Sequence, residues 1–120
     1  MNKPSKSFFE LAVWQKAHKL VLEVYIITKD FPQNELFGLT SQIRRASISI
    51  PANIAEGYKR MGKSDKVRFY NISQASLEEV KYFIFLSKEL GYTNEYTKLK
   101  NLTEEVSKML DSYIKRIQCA

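Results

Sequence analysis

The chain contains one cysteine, Cys119, and one histidine, His18. An internal disulfide is excluded, and so are a CxxC pair and a cysteine-rich zinc cluster. A reducing, cytoplasmic setting is expected. Any Ser-His-Asp or Cys-His arrangement must use His18. Trp14 stands one turn before that residue and Leu22 one turn after it, so a packed or half-exposed histidine among apolar neighbours is expected rather than a catalytic base. The chain has only four glycines and three prolines, which disfavours a turn-rich β fold. No apolar run approaches the roughly 18 residues that span a bilayer, so no membrane partner is expected. The first seven residues are polar, and no secretory leader is expected. A GxGxxG turn and a P-loop are missing, as are the Glu-x-x-His pairs of a di-iron bundle. Glu78 and Glu79 are adjacent, which turns them to different sides of a helix. No catalytic residue, cofactor or metal site is expected, and the chain reads as a non-enzyme.

What is present is helical periodicity. A chain of 120 residues fits a single domain, 1–120, long enough to bury a core without crosslinks. Four segments carry apolar residues at helical spacing, predicting helices over about 9–31, 35–60, 65–90 and 95–117. In the first, Val13, Trp14, Ala17, Leu20, Val21, Val24, Ile27 and Phe31 form the stripe, and Pro32 stops the helix. In the second, Leu39, Ile43, Ala46, Ile50, Ile54 and Gly57 form it, with Asn34 as N-cap. Pro51 interrupts this segment; two short helices or one kinked helix fit, and the in-phase stripe favours one helix kinked near Pro51. Ser41, Ala46, Ser47, Ser49, Ala52 and Ala55 make the segment small-sided. The third stripe is Tyr70, Ser73, Leu77, Val80, Ile84 and Ser87, with Ser64 as N-cap and Gly91 as the residue that ends the helix. The fourth is Tyr96, Leu99, Leu102, Val106, Met109, Leu110, Tyr113 and Ile117, with Asn94 as N-cap. Short connections force antiparallel neighbours. The expected fold is an all-α, up-and-down four-helix bundle.

The net charge is +6, and the stretch 35–68 holds seven basic against three acidic side chains. Arg44 and Arg45 form one cluster; Lys59, Arg60, Lys63, Lys66 and Arg68 form another. As phosphate contacts these residues would give sequence-independent, salt-sensitive binding to RNA or DNA. Tyr58, Phe69 and Tyr70 are interleaved; such aromatics either stack on bases or join the core. Arg44 and Arg45 point about 100° apart, so one faces solvent and the other can pair with a carboxylate across the bundle or a subunit contact. Asn53 and Glu56 lie beside the second stripe. They are expected to satisfy backbone groups freed at the proline, a partner contact being the other reading. A second apolar face on the third segment (Ile72, Tyr82, Phe85) and another on the first (Leu11, His18, Leu22, Tyr25) exceed what one small bundle buries. They point to a homo-oligomer, and leave a protein partner as an alternative to nucleic acid.

The string Gly38-Leu39-Thr40-Ser41-Gln42-Ile43-Arg44-Arg45-Ala46-Ser47-Ile48-Ser49-Ile50-Pro51-Ala52-Asn53-Ile54-Ala55-Glu56-Gly57 resembles the signature of the bacterial four-helix-bundle proteins encoded in intervening sequences of 23S ribosomal RNA genes. Val13-Trp14-Gln15-Lys16-Ala17-His18-Lys19-Leu20 is similar to that family's first helix. Phe69-Tyr70-Asn71-Ile72-Ser73-Gln74-Ala75-Ser76-Leu77-Glu78-Glu79, ahead of Leu90-Gly91-Tyr92, is similar to another part of it. The resemblance implies a left-handed bundle that assembles into a ring, a pentamer, without enzymatic activity. It also extends to a related branch, the basic pentameric accessory proteins of diversity-generating retroelements, and so implies a nucleic-acid surface. Arg44, Arg45, Asn53, Glu56 and Gly57 are the matching positions, the last three expected to be structural.

Overall fold

In the computed structural model, which describes residues 6–120, four long helices follow one another: α1 (Ala12–Thr28), α2 (Leu39–Lys59), α3 (Lys63–Glu89) and α4 (Tyr96–Cys119). Most of the polar stretch behind the leader expectation lies outside the described residues. No strand occurs among the described residues. Each helix packs on two others: α1 and α3 both border α2 and α4, while the diagonal pairs do not meet. Cross-helix pairs run in opposite senses, as an up-and-down bundle requires. Lys16 binds Glu105 at 2.9 Å while Lys98 binds Glu23 at 3.1 Å. Gln74 donates to Asp111 at 2.6 Å, and further along Phe85 meets the ring of Tyr96.

The predicted stripes form the core. Ala17, Leu20 and Val24 from α1 meet Ile43, Ile50 and Ile54 from α2, Leu77, Val80 and Ile84 from α3, and Leu99, Val106 and Leu110 from α4. All of these are essentially inaccessible to water; burying one Leu or Ile side chain contributes about 2 kcal/mol. Ile114 also belongs to this core, one turn beyond Leu110, although the fourth stripe omitted it. Trp14, Tyr96, Met109, Tyr113 and Ile117 are only half-buried at its edge.

The helix ends depart from expectation. A 3-10 turn, Phe8–Glu10, precedes α1, and α1 ends at Thr28, before Phe31. Asn34 does not cap α2; it sits in a second 3-10 turn, Gln33–Glu35. The capping acceptor is Glu35, whose Oε1 takes the Leu39 N–H at 3.1 Å across Gly38. This carboxylate satisfies one of the donors that a helix start leaves unpaired, and its charge suits the positive end of the dipole. Ser64 lies inside α3, where Gly62 is the N-cap, and Glu95 rather than Asn94 precedes α4. Gly91 behaves as expected. Its φ of +76° allows Tyr92 N–H to reach the Ser87 carbonyl at 2.8 Å and its own N–H to reach Lys88 at 3.0 Å, the left-handed termination that glycine adopts without strain.

Pro51 lies inside α2 and is buried. The helix is one continuous element through it, so the alternative of two short helices is excluded.

Candidate nucleic-acid interface and the α2 signature

The small residues of α2 set its distance from α3. Ser73 Oγ, fully buried, donates to the Ile50 carbonyl at 2.8 Å, and Ser76 Oγ donates to Ser49 Oγ at 2.8 Å. Such bonds between helices need backbones that approach closely, which serine and alanine permit and larger side chains do not. At the far end the ring of Tyr70 lies against Gly57, where a Cβ would stand 2.5 Å from ring carbon Cε1. Gly57 is therefore structural: only a hydrogen there leaves room for the ring. The Tyr70 hydroxyl stands 3.5 Å from that of Tyr113. Burial is the main cause that pushes the Tyr70 phenol above its ordinary value of 10.0, with Tyr113 adding to it.

The other two signature residues divide. Asn53 Nδ2 donates to the Ser49 carbonyl at 2.8 Å and to Ser49 Oγ at 3.0 Å. It does satisfy backbone, but not the carbonyl of Ser47 that Pro51 deprives of a donor. Glu56 does not serve the backbone at all. It is exposed and pairs with Arg60 at 3.3 Å, because its position turns it away from the core.

The seven basic residues do not form one surface. Arg44 and Lys59, the last residue of α2, are fifteen positions apart, about 22 Å at the helical rise. Arg44 leans on α1: its Nε donates to Thr28 Oγ1 at 2.9 Å and its guanidinium lies 4.6 Å from the centre of the Tyr25 ring. The cross-bundle partner is thus a hydroxyl and a ring rather than a carboxylate. Arg45 is exposed and lines the α2–α3 groove with Gln42, Ser49, Ser76 and Glu79.

The remaining five gather where α2 turns into α3. Lys66 is half-buried, and its Nζ donates to the carbonyls of Gly57 at 3.2 Å and Tyr58 at 2.7 Å. It closes the end of α2, and burial holds its amine below the usual lysine range. Arg60 and Arg68 both lie 4.5 Å from the centre of the Phe69 ring. Asp65 holds the pair, at 2.8 Å from Arg68 and 3.8 Å from Arg60. Lys59 and Lys63 are exposed and make no ion pair among the described residues. Met61 between them is 97% exposed, so the described residues leave the tip of this turn uncovered. The interleaved aromatics are not free platforms: Tyr70 is in the core, Phe69 is flanked by two guanidinium groups, and half-buried Tyr58 has the Lys66 ammonium 5.7 Å from its ring centre.

Two further sequence expectations resolve here. His18 is exposed, its ring parallel to Trp14 at 5.1 Å. Ile72, Tyr82 and Phe85 are exposed on α3 and Leu22 on α1, whereas Tyr25 is half covered by Arg44. Ile26, Phe37 and Ile48 are exposed as well; the apolar-surplus argument missed them, although Ile26 follows Leu22 by one turn. Among the described residues no group of His, Cys, Asp and Glu is placed to hold a metal ion, and no helix is long and apolar enough to cross a membrane.

Comparison with known proteins follows this geometry closely. A crystal structure of a protein of unknown function from the S23 ribosomal protein family of Bacteroides thetaiotaomicron superposes with a TM-score of 0.79 at 28% identity. The match covers 87% of this chain and 99% of that one. No curated protein matches the chain. The family profile described as 23S rRNA-intervening sequence protein matches residues 9–112, which include all of the α2 signature, the Gly57–Tyr70 contact and the basic turn. The chain belongs to the 23S rRNA-intervening sequence protein family.

Proposed function

We propose that this chain is a cytoplasmic, non-enzymatic, self-associating bundle protein that binds RNA or DNA at the end where α2 turns into α3. The observation that carries the reading is the pairing pattern there. Lys59 and Lys63 stand exposed and, among the described residues, without ion-pair partners beside Arg60 and Arg68. Unpaired cations at an uncovered end attract phosphate, whereas cations already tied to carboxylates lose part of that attraction. Arg60 and Arg68, held over Phe69, keep guanidinium nitrogens that can bind phosphate oxygens. Arg45 lies too far along α2 to join a compact footprint, and Lys66 is occupied by backbone carbonyls.

The test is a fluorescence-anisotropy titration of a single-stranded RNA and a duplex DNA across a salt series. Phosphate contact requires affinity to fall steeply as salt rises. No binding to either probe at low salt would sink the proposal.

The exposed side chains of Leu22 and Ile26 on α1 and of Ile72, Tyr82 and Phe85 on α3 support self-association, and the ring expected from the family resemblance makes a pentamer the stoichiometry to test. Light scattering behind a sizing column decides it, a monomer at micromolar concentration being the contrary result. The same side chains favour one second reading, a scaffold for another protein without nucleic acid; a stable partner recovered after nuclease treatment would support it.

A further inference from the structure

We infer that Arg44 is a preformed carboxylate receptor, and that its ligand is Glu79 of a second copy of this chain. The inference rests on the self-association reading and adds to it which two faces meet.

Arg44 is built in a way the other arginines are not. Its guanidinium is held at two points: the Tyr25 ring beneath it and Thr28 Oγ1 on its Nε. Thr28 is itself fixed, 3% exposed and bonded to the Val24 carbonyl at 2.8 Å. Both Nη nitrogens remain without a hydrogen bond, and no carboxylate approaches, among the described residues. Arg60 and Arg68, by contrast, both reach Asp65. A guanidinium whose Nε is anchored and whose terminal nitrogens are unspent has already lost its rotamer freedom. It presents a rigid fork that matches a carboxylate.

The surroundings select the kind of carboxylate. Leu22 lies one turn before Tyr25 and Ile48 one turn after Arg44, and both are exposed, at 51% and 44%. The receptor is therefore flanked by apolar side chains, as at the centre of a protein interface, where Arg and Tyr are enriched. A solvated phosphate backbone gains nothing from such flanks. On α3 the complementary pattern exists: Ile72, Glu79 and Tyr82 fall on one outer stripe, spaced seven and three positions apart, and all are exposed. Glu79 makes no ion pair among the described residues, although it lines the same groove as Arg45.

The two faces lie on either side of α2: the receptor lies towards α1, and Glu79, in the groove with Arg45, lies towards α3. A copy can give its Glu79 face to one neighbour and its Arg44 face to another. Contacts of that head-to-tail kind propagate and close into a ring when the rotation permits, instead of ending at a two-fold dimer. A bundle 46 Å long offers each face ample length for the roughly 800 Å² per partner of a stable interface.

The experiment is light scattering behind a sizing column over a concentration series, with circular dichroism confirming the helices. Arg44→Glu and Glu79→Lys are each expected to raise the concentration needed for assembly roughly thirtyfold, as when one partner of a buried charge pair is lost. The double variant Arg44→Glu/Glu79→Lys is expected to recover most of that loss. Because Arg44 also braces α1, a second set uses exposed positions only. Leu22→Asp and Tyr82→Asp chains are each expected to be monomeric, and their equimolar mixture is expected to form a complex of two copies. A monomeric wild-type chain overturns self-association itself. An oligomeric wild type that tolerates all four single changes overturns the assignment of faces while association stands. Failure of the double variant to recover overturns the Arg44–Glu79 pairing.

Discussion

The ring of Tyr70 occupies the space that a side chain at Gly57 would need: a Cβ there would lie within 2.9 Å of three ring carbons. The contact joins the last turn of α2 to α3 beneath the basic turn. Rings cannot fold away as a flexible chain end can, so Gly57→Ala must displace a helix or rotate Tyr70 out of the core. The expected cost is about 2 kcal/mol, the usual range for overpacking, read as a lower midpoint in urea unfolding. Gly62→Ala is the matched control, because nothing lies within 4 Å of a Cβ there.

The same tyrosine makes stability fall in alkali. Its phenol is raised above 10.0 in the folded chain, first by burial and then by Tyr113, so the fold favours the neutral form. A group with a raised folded pKa contributes stability that is complete below its unfolded pKa and is lost as pH rises toward the folded value. Stability is therefore expected to be level through neutrality in this respect and to decline above about pH 10. Tyr92, raised by its bond to Glu35, acts in the same direction. Tyr70→Phe is expected to flatten the alkaline limb of an unfolding-versus-pH series while leaving the neutral value little changed, since the hydroxyl contact it removes is long, at 3.5 Å.

Much of this was legible in the sequence, and the part that was not has a common cause. Apolar spacing identified the core faces because burial depends on periodicity alone. Ile43, Ile50 and Ile54, or Leu77, Val80 and Ile84, needed no knowledge of their neighbours. Caps and charges depend on what folds back against them. Asn34 and Ser64 carry the right side chains for N-caps, yet Gly38 and Gly62 hold those positions, with Glu35 supplying the acceptor for α2, through chain paths that local propensity does not encode. The basic residues likewise form clusters in sequence, but Lys66 is spent on carbonyls, and Arg44 is tied by its Nε and its guanidinium face to Thr28 and Tyr25 on α1. Only the fold separates Lys59 and Lys63 from them.

Glu35 ties two distant turns together and can be tested as a pair. Its Oε1 accepts from Leu39 N–H at 3.1 Å and its Oε2 from the Tyr92 hydroxyl at 2.9 Å, while the Tyr92 ring packs 5.4 Å from that of Phe31. Glu35→Ala removes both bonds, and a loss of about 2 kcal/mol is expected. Tyr92→Phe removes one and keeps the ring, for about 1 kcal/mol. A double-mutant cycle by denaturant unfolding is expected to return a coupling near 1 kcal/mol, because the two residues share a bond. Additive losses would mean that the carboxylate acts on α2 alone.

The nucleic-acid reading makes a quantitative demand on the α2–α3 turn. If Lys59 and Lys63 each contact one phosphate of duplex DNA, removing both charges lowers the salt slope of log affinity by about 1.8, at roughly 0.9 per phosphate. Lys59→Gln/Lys63→Gln is the informative variant: glutamine removes charge without adding repulsion, and both positions are exposed, so stability should move little. Arg45→Gln serves as the comparison. It removes an exposed cation from α2, fourteen positions from Lys59 on the same helix, about 21 Å away at the helical rise, and is expected to leave the slope unchanged. Anisotropy titrations at several salt concentrations measure all three proteins. Equal slopes for the lysine variant and the unaltered chain would show that DNA, if bound, does not sit on this turn. Equal reductions for the lysine and Arg45 variants would show a binding surface spread along α2 rather than confined to its end.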